Sequence, residues 1–295
     1  MFSFFKKVLK DFSDDECGVR AAALAYYTIF ALPPLLVLLM MLVGMVWDPT
    51  EVQTALETQF SNLVGADGGR AVHDMLVHAR RPMAGGFYAA AIGVVALLVG
   101  ALGAFMQLQG ALNRAWGVKP DPTQGGIRRF IMKRLLSLGM ILVVGFLLIV
   151  SLSVSALLSA LSTRISFPAA AFSAVDLGLS FAVMTVMFAT IYRFLPDAEI
   201  GWGDVFTGAV VTSLLFVLGK FAIGFYLGQS APGDAFGAAS ALAIILVWVY
   251  YAGIIVLFGA EFTQAWAERR GVQIKPEKGA TRVEQREVVS SAPHA

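Results

Sequence analysis

The sequence has little of what enzyme active sites and metal centres are usually built from. It contains one cysteine, Cys17, and three histidines, His73, His78 and His294. A single cysteine excludes an internal disulfide, and together with three histidines it offers no closed zinc set. A phosphate-binding G-x-x-x-x-G-K-[ST] loop and an H-E-x-x-H motif are both missing, which argues against an ATPase and a zinc protease. We therefore expect no metal, no cofactor and no catalytic residues.

Charge is also scarce. Only 14% of the residues are charged, against about 25% in a soluble chain, while 58% are hydrophobic and the mean hydropathy is +0.74. The net charge of +2 is too small for the basic footprint of a nucleic-acid-binding protein. The N-terminal segment does not read as a cleavable signal peptide, because charged residues resume before a cleavage site could follow an apolar core. The composition is that of a polytopic membrane protein. We therefore expect membrane lipids to be its partners.

Six stretches are long and apolar enough to cross a bilayer, for which about 20 residues are needed. They predict an all-α protein with a six-helix transmembrane domain over residues 1–268. Three spans are free of charge, and the last three contain Asp176, Lys220 and Glu261 in turn, with Arg193 at the inner end of the fourth. The predicted spans are 21–47, 87–111, 135–161, 168–194, 205–228 and 235–267.

The lysines and arginines outside the spans are distributed unequally between the two sides. If the N-terminus is inside, seventeen of them lie in inner segments and four in outer segments. Cytoplasmic loops carry the excess of Lys and Arg in membrane proteins. Both termini are therefore predicted to be cytoplasmic.

The N-terminal residues Phe2, Phe5, Leu9 and Phe12 recur at helical spacing with lysines between them. This pattern is typical of an amphipathic helix lying at the inner membrane interface. The alternative is a soluble helix packed on the cytoplasmic ends of the bundle.

Two segments outside the spans have their own character. The outer loop 48–86 contains two apolar stripes separated by Gly65, Gly68 and Gly69, which predicts two short helices that cap the outer face. The cytoplasmic tail 269–295 mixes charges with Ser and Pro, and it is predicted to be disordered.

Glu261 is the most informative residue, because it lies within the last span. An ionisable side chain there costs roughly 2.5–3.5 kcal/mol, so it usually has a partner or a task. It lies eight residues before Arg269, in the cytoplasmic third of the span, where Arg193, Arg20 or Arg114 could reach it. It is either a proton or substrate site, or a structural ion pair that locks the bundle. We expect its carboxylate to face the bundle interior.

Asp176 and Lys220 are the charges in spans four and five. Counting about 1.5 Å per residue from the inner helix ends places both roughly 24–25 Å above the cytoplasmic face. The connecting loop is short, so the two spans are predicted to be antiparallel neighbours and the two charges to pair. The alternative is that each side chain reaches the outer interface separately.

Pro33 and Pro34 stand about halfway through the first span. Proline removes a backbone donor and clashes with the preceding turn. These residues predict either a helix break that lines a pathway or a simple kink.

Three segments resemble the YihY/BrkB family of bacterial inner-membrane proteins. They are Arg20-AAALAYYTIFALPPLLVLL at the first span, Tyr192-RFLPD between spans four and five, and Phe236-GAASALAIILVWVYYAGIIVLFGAE in the last span. The likeness runs from about Phe4 to Glu268. Many members read Ser-Leu-Phe-Pro in the first span, where this chain reads Ile29-Phe-Ala-Leu-Pro33-Pro34.

The family is often labelled ribonuclease BN, but a nuclease needs clustered metal ligands or acid–base groups near RNA, and this sequence has none on the cytoplasmic side. The resemblance implies an inner-membrane protein of the cell envelope, connected with serum resistance and lipid or lipopolysaccharide traffic. The leading hypothesis is translocation, or support of translocation, of an amphiphilic envelope lipid. The alternatives are a proton- or ion-coupled permease for a small solute that uses Glu261, and a non-transporting scaffold that binds envelope-biogenesis proteins.

Overall fold

The computed structural model describes residues 2–43, 48–64, 66–79, 86–121, 169–230 and 240–283. Within these residues the chain is helical, with four very short strands. The helices are α1 Phe2–Asp14, α2 Cys17–Val43, α3 Pro49–Val64, α4 Ala66–Ala79, α5 Gly86–Ala115, α6 Ala169–Phe194, α7 Trp202–Ser230 and α8 Ser240–Arg269. The strands are β1 Val118–Pro120, β2 Ala198–Glu199, β3 Lys275–Pro276 and β4 Ala280–Arg282.

Three stretches of the described helices are long and apolar enough to cross a membrane: Leu177–Phe194, Trp202–Ile223 and Leu242–Arg269. Cys17–Pro33 forms a shorter apolar helix. The last three predicted spans thus correspond to α6, α7 and α8, and the first two to α2 and α5. The third predicted span, 135–161, lies outside the described residues.

The outward faces of these helices are apolar. On α7, Phe206, Leu214, Leu218 and Phe221 are each more than half exposed. In water such a row would be a large exposed hydrophobic patch, whereas contact with lipid hydrocarbon carries no hydration cost. The protein is therefore a helical membrane protein whose bundle presents these side chains to lipid.

Helix α8 is central to the bundle, since it packs against α2, α7 and α1. Its contact with α7 includes two matching Gly-x-x-x-Thr pairs, Gly208 with Thr212 on α7 and Gly259 with Thr263 on α8. Each threonine hydroxyl donates to the carbonyl of the glycine one turn before it, at 2.8 Å for Thr212 and 2.6 Å for Thr263. Each threonine also lies over the glycine of the other helix. A Cβ on Gly208 would come within 1.7 Å of the Thr263 hydroxyl oxygen, and one on Gly259 within 1.9 Å of the Thr212 hydroxyl oxygen. Small residues thus bring the two backbones close, as is common in lipid.

The loop after α2 forms the two expected short helices, α3 and α4. The Asp48 carboxylate accepts a hydrogen bond from the Thr50 backbone N–H at 2.7 Å and so caps α3. Val72 and Leu76 of α4 are buried with Leu36 of α2 and Ile245 of α8 in one apolar cluster. The pair of helices therefore packs on the bundle near the start of α8.

The structure shows no helix break at Pro33 and Pro34, because α2 is one continuous helix from Cys17 to Val43. The two prolines lack N–H donors, so the carbonyls one turn earlier, at Ile29 and Phe30, lose their usual partners. Helix α5 comes close at this point, since a Cβ on Gly100 would lie 3.4 Å from the Phe30 carbonyl oxygen. The neighbouring helix covers the freed carbonyl, and the turns on both sides hold the helix together.

The tail is ordered as far as residue 283, contrary to the prediction of disorder. β4 pairs antiparallel with β1, and β3 pairs antiparallel with β2. Main-chain hydrogen bonds to two loops stabilise this part of the tail. Such bonds do not depend on side-chain polarity, so the amino-acid composition of the tail does not reveal them. Residues 284–295 lie outside the described part. Helix α8 itself ends at a glycine cap, where Gly271 has a φ of 74° and Val272 N–H donates to the Ala267 carbonyl at 2.9 Å.

These pairings gather several segments at one end of the bundle. The loops after α5 and α6 both contact the C-terminal tail through the strands. Helix α1 packs against α8, with Phe4 edge-on to Phe262 at 5.3 Å. The N-terminus, two loops and residues up to 283 therefore lie on the same side.

The α7–α8 contact gives the first prediction. Gly208→Ala should lower the stability of the purified protein by about 1–3 kcal/mol, because the new methyl group collides with Thr263. Gly178→Ala is the matched control, since a Cβ at this helical glycine meets nothing within 4 Å. Thermal unfolding in detergent measures both. Adding Thr263→Ala to Gly208→Ala should recover much of the loss, and a Gly208→Ala protein as stable as Gly178→Ala would contradict the packing described.

Candidate functional site around Glu261

Glu261 follows two residues after Gly259 on α8, so it projects from a different face of the helix. Gly259 faces α7, whereas Glu261 faces the start of α2. Its side chain is fully buried. The carboxylate therefore faces the bundle interior, as expected from the cost of exposing it to lipid.

The partner of Glu261 is a thiol. Cys17 donates from Sγ to Glu261 Oε1 at 3.4 Å, and both residues are buried. A thiol is a weak donor, and this contact joins the first residue of α2 to the last turns of α8. The single cysteine of the chain is thus part of the site, although the sequence alone gave it no role.

A tight turn positions Cys17. Between α1 and α2, Glu16 has a φ of 54°, in the left-handed region, where a side chain other than glycine costs about 1–2 kcal/mol. Asp15 anchors this turn: Arg114 Nε at the end of α5 lies 3.0 Å from its carboxylate, and Arg20 Nε donates to its carbonyl at 3.0 Å. Burial raises the pKa of Asp15 above its ordinary value, and the charge of Arg114 opposes that rise.

The second carboxyl oxygen of Glu261 has no hydrogen-bond partner among the described residues. Another buried polar atom in the same state is Trp116 Nε1. Trp116 stacks edge-on against Tyr192 at 5.8 Å, and it belongs to the same apolar cluster as Cys17. A buried group left unsatisfied costs about 1–3 kcal/mol. Glu261 thus has one spare acceptor and Trp116 one spare donor, and each could bind a polar group.

The expected arginine partner of Glu261 is not found within the described part of the chain. Arg114 pairs with Asp15, Arg20 donates to the Asp15 carbonyl, and Arg193 donates to the Ile200 carbonyl. These three arginines satisfy carbonyl groups and a half-buried carboxylate instead. No cation of the described residues therefore lies within salt-bridge distance of Glu261 to offset the desolvation of its charged form.

Two other predicted intramembrane charges, Arg193 and Lys220, are described, and no contact of either with Glu261 is found. Arg193 lies with its guanidinium 5.7 Å from the centre of the Trp202 ring, at the end of α6. Lys220 is half-buried on α7. The side chain of Asp176 lies outside the described residues, so its pairing with Lys220 stays a prediction.

The structure also shows a polar network that the sequence analysis did not single out. Asn113 donates from Nδ2 to the buried Asp197 carboxylate at 2.9 Å, and its Oδ1 accepts from the Asp197 backbone N–H at 2.8 Å. Asp204 accepts from Arg270 at 2.9 Å, which ties the start of α7 to the end of α8. The sequence feature that could have indicated this network is the Arg-Phe-Leu-Pro-Asp stretch, in which Asp197 lies shortly before the start of α7. These contacts fix the end of the bundle around Glu261.

No group of three or more His, Cys, Asp or Glu side chains that could hold a metal ion occurs in the described ranges. What the residues around Glu261 can do is accept a hydrogen bond, a proton or a cation at Oε2. The Cys17 thiol holds the other oxygen in place.

Comparison with known proteins gives consistent matches over most of the chain. The model of a family described as Virulence factor BrkB matches residues 8–284. A UPF0761 membrane protein of Vibrio vulnificus is 28% identical over 272 residues, covering 90% of this chain and 83% of that protein. UPF0761 membrane proteins of Alkalilimnicola ehrlichii and Alcanivorax borkumensis are 31% and 28% identical over 268 residues, covering 88% and 89% of this chain.

The chain spans only 57% and 60% of the length of the latter two relatives. No solved structure matches the chain.

The Cys17–Glu261 contact gives the second prediction. Cys17→Ala should lower the thermal stability, because it leaves a buried carboxyl group with no donor at either oxygen; the expected loss is about 1–3 kcal/mol. Cys17→Ser keeps a donor of similar size and should lose less. Both are measured by unfolding in detergent. Equal stability of the wild type, Cys17→Ala and Cys17→Ser would show that the thiol contributes nothing to holding Glu261.

Proposed function

The chain belongs to the BrkB family of membrane proteins, and from this premise we propose that it translocates, or supports translocation of, an amphiphilic envelope lipid across the bacterial inner membrane. The observation that carries the proposal is the buried Glu261 carboxyl group with one oxygen unbound by the described residues. An amphiphile has the two properties that this setting calls for, a polar group for the spare acceptor and an apolar body for the bundle. The proposal assigns no enzymatic activity to the chain.

The proposed topology has six spans, the α3–α4 pair as a cap on the outer side, and both termini in the cytoplasm. It is supported by the segments gathered at one end of the bundle, which carry most of the Lys and Arg. The α3–α4 pair supports it too, because it packs near the start of α8, away from Glu268 and Arg269 at the other end of that helix.

In this proposal Glu261 binds the headgroup. Its Oε2 accepts a hydrogen bond or pairs with a cationic group, while Cys17 keeps Oε1 occupied. Trp116 Nε1 is a spare donor for an oxygen of the same ligand or of a water molecule beside it. Because both atoms are buried, contacts made there are stronger than the same contacts in water.

A second candidate is a proton- or ion-coupled permease. It is favoured by the absence of a described cation within salt-bridge distance of Glu261, which leaves the carboxyl group able to take up a proton or a metal cation in its place. The scaffold alternative, which would bind envelope-biogenesis proteins, needs no polar site at Glu261. It therefore differs from the other two in what it predicts for the variant below.

The third prediction concerns Glu261→Gln. The amide keeps a hydrogen-bonding oxygen but can neither be protonated nor pair with a cation, so the protein should fold and insert while losing at least tenfold in transport rate. In proteoliposomes, transbilayer movement of a fluorescent lipid analogue is followed by quenching of the outer leaflet. Glu268→Gln is the matched control, since this residue lies two turns further along α8 and is exposed.

The outcomes separate the three functions. Loss of lipid movement in Glu261→Gln alone supports the lipid proposal. Wild-type protein that moves no lipid but takes up protons, with uptake abolished in Glu261→Gln, favours the permease. Full complementation of an envelope phenotype by Glu261→Gln at matched expression rules out both and leaves the scaffold.

The fourth prediction tests the topology. On a Cys17→Ser background, a cysteine at Ala66 should react with an impermeant thiol reagent added to spheroplasts, whereas a cysteine at Gln285 should react only after the membrane is opened. The expected difference follows from the distribution of Lys and Arg. Labelling of the Gln285 position in intact spheroplasts would overturn the orientation.

A further inference from the structure

Helix α1 has two apolar stripes rather than one. The first faces the protein: Val8 is fully buried, Phe4 lies edge-on to Trp266 at 6.3 Å, and Phe12 lies 6.2 Å from Phe258. This stripe explains why α1 packs on α8. It uses only part of the apolar surface of the helix.

The second stripe faces away from the protein. Phe2, Phe5 and Leu9 are 87%, 47% and 59% exposed. Their spacing of three and four residues places them on one side of the helix. Burying each such side chain is worth about 1.5–3 kcal/mol, so this stripe is expensive to leave in water.

The lysines of α1 divide between the two sides. Lys7 faces the protein, with Nζ bonded to Asp11 and 3.0 Å from Glu268 at the end of α8. Partial burial lowers the pKa of Lys7, but these two carboxylates raise it more, so its pKa lies above the ordinary value. Lys6 and Lys10 are exposed beside the second stripe. Two cationic side chains therefore flank the exposed apolar surface.

The position of α1 indicates what meets that surface. Its first turn packs against the last turns of α8, where the guanidinium of Arg269 lies 5.8 Å from the centre of the Phe4 ring. α8 is one of the helices long enough to cross the membrane, and this is where it ends. A helix held at that level lies at the boundary between hydrocarbon and headgroups.

We propose that Phe2, Phe5 and Leu9, together with Lys6 and Lys10, form a docking surface for anionic phospholipids of the bilayer that the protein spans. The apolar stripe enters the acyl boundary, and the two ammonium groups meet lipid phosphates. An anionic membrane surface attracts each basic residue that lies near it, and this attraction weakens as the salt concentration rises. The proposal depends on the interfacial placement of α1 and not on lipid translocation.

A depth measurement by spin labelling tests this. On the Cys17→Ser background, labels are placed at Phe5, Leu9 and Asp14, the last being an exposed polar position at the end of the same helix. The full chain is placed in nanodiscs of phosphatidylcholine, with or without phosphatidylglycerol. Oxygen concentrates in the bilayer, whereas a water-soluble nickel complex stays outside it. Oxygen should therefore relax the labels at Phe5 and Leu9 more than the nickel complex does, and the nickel complex should relax the label at Asp14 more than oxygen does.

Adding phosphatidylglycerol should deepen the Phe5 and Leu9 labels. Lys6→Gln with Lys10→Gln should abolish that dependence, whereas Lys7→Gln, on the protein-facing side, should retain it. Inorganic phosphate added to phosphatidylcholine nanodiscs should have no effect, which separates a lipid headgroup from a free anion.

Two results would overturn the proposal. One is a Phe5 label as accessible to nickel as the Asp14 label in both lipids. The other is spin–spin broadening at Phe5, which would indicate that a second copy of the chain covers the stripe. Neither readout involves transport, so a failure here is distinct from a failure of lipid translocation.

Discussion

The close contact between α7 and α8 is the constraint on which the described bundle depends. It needs glycine at Gly208 and Gly259, because each position holds the threonine of the opposite helix. Each threonine hydroxyl is also used on its own helix, so no polar group is left over in the contact. Tyr192 extends this arrangement to α6 by donating to the Val256 carbonyl at 2.7 Å. In lipid, where burial of apolar surface does not drive helix association, such fitted contacts supply the stability.

The packing of α7 against α8 also determines where Glu261 points. On the opposite side of α8, Gly259 and Thr263 are packed against α7. The carboxyl group of Glu261 therefore points toward α2 and the turn before it. That turn contains a residue in the left-handed region, Glu16, and is anchored by an ion pair, Asp15 with Arg114. The protein thus accepts local strain to place a weak thiol donor beside one oxygen of Glu261. Retained strain and an unsatisfied buried atom in one place are more typical of functional sites than of structural ones.

The sequence predicted a helical membrane protein, because long apolar runs leave few alternatives in a bilayer, and three of the predicted spans coincide with described helices long enough to cross a membrane. It also predicted the two short helices after α2 and the interior orientation of Glu261. It failed where contacts between distant segments decide the outcome. The pairing of β3 and β4 with loop strands is invisible in the composition of the tail, and the Cys17–Glu261 contact joins residues 244 positions apart. An arginine partner for Glu261 was a sound expectation from helix depth, but nearby carbonyls and Asp15 compete for the same guanidinium groups.

The matched Gly-x-x-x-Thr pairs also restrict how α7 and α8 can move against each other. Sliding or tilting α7 against α8 would drive a threonine into a backbone at both contact points at once. The side of α8 that faces α2 contains Glu261 and also packs closely, because a Cβ on Gly253 would lie 3.2 Å from the Ala21 Cβ. Helices α7 and α8 therefore behave as one rigid pair, and any movement between them has to keep both threonines over their glycines.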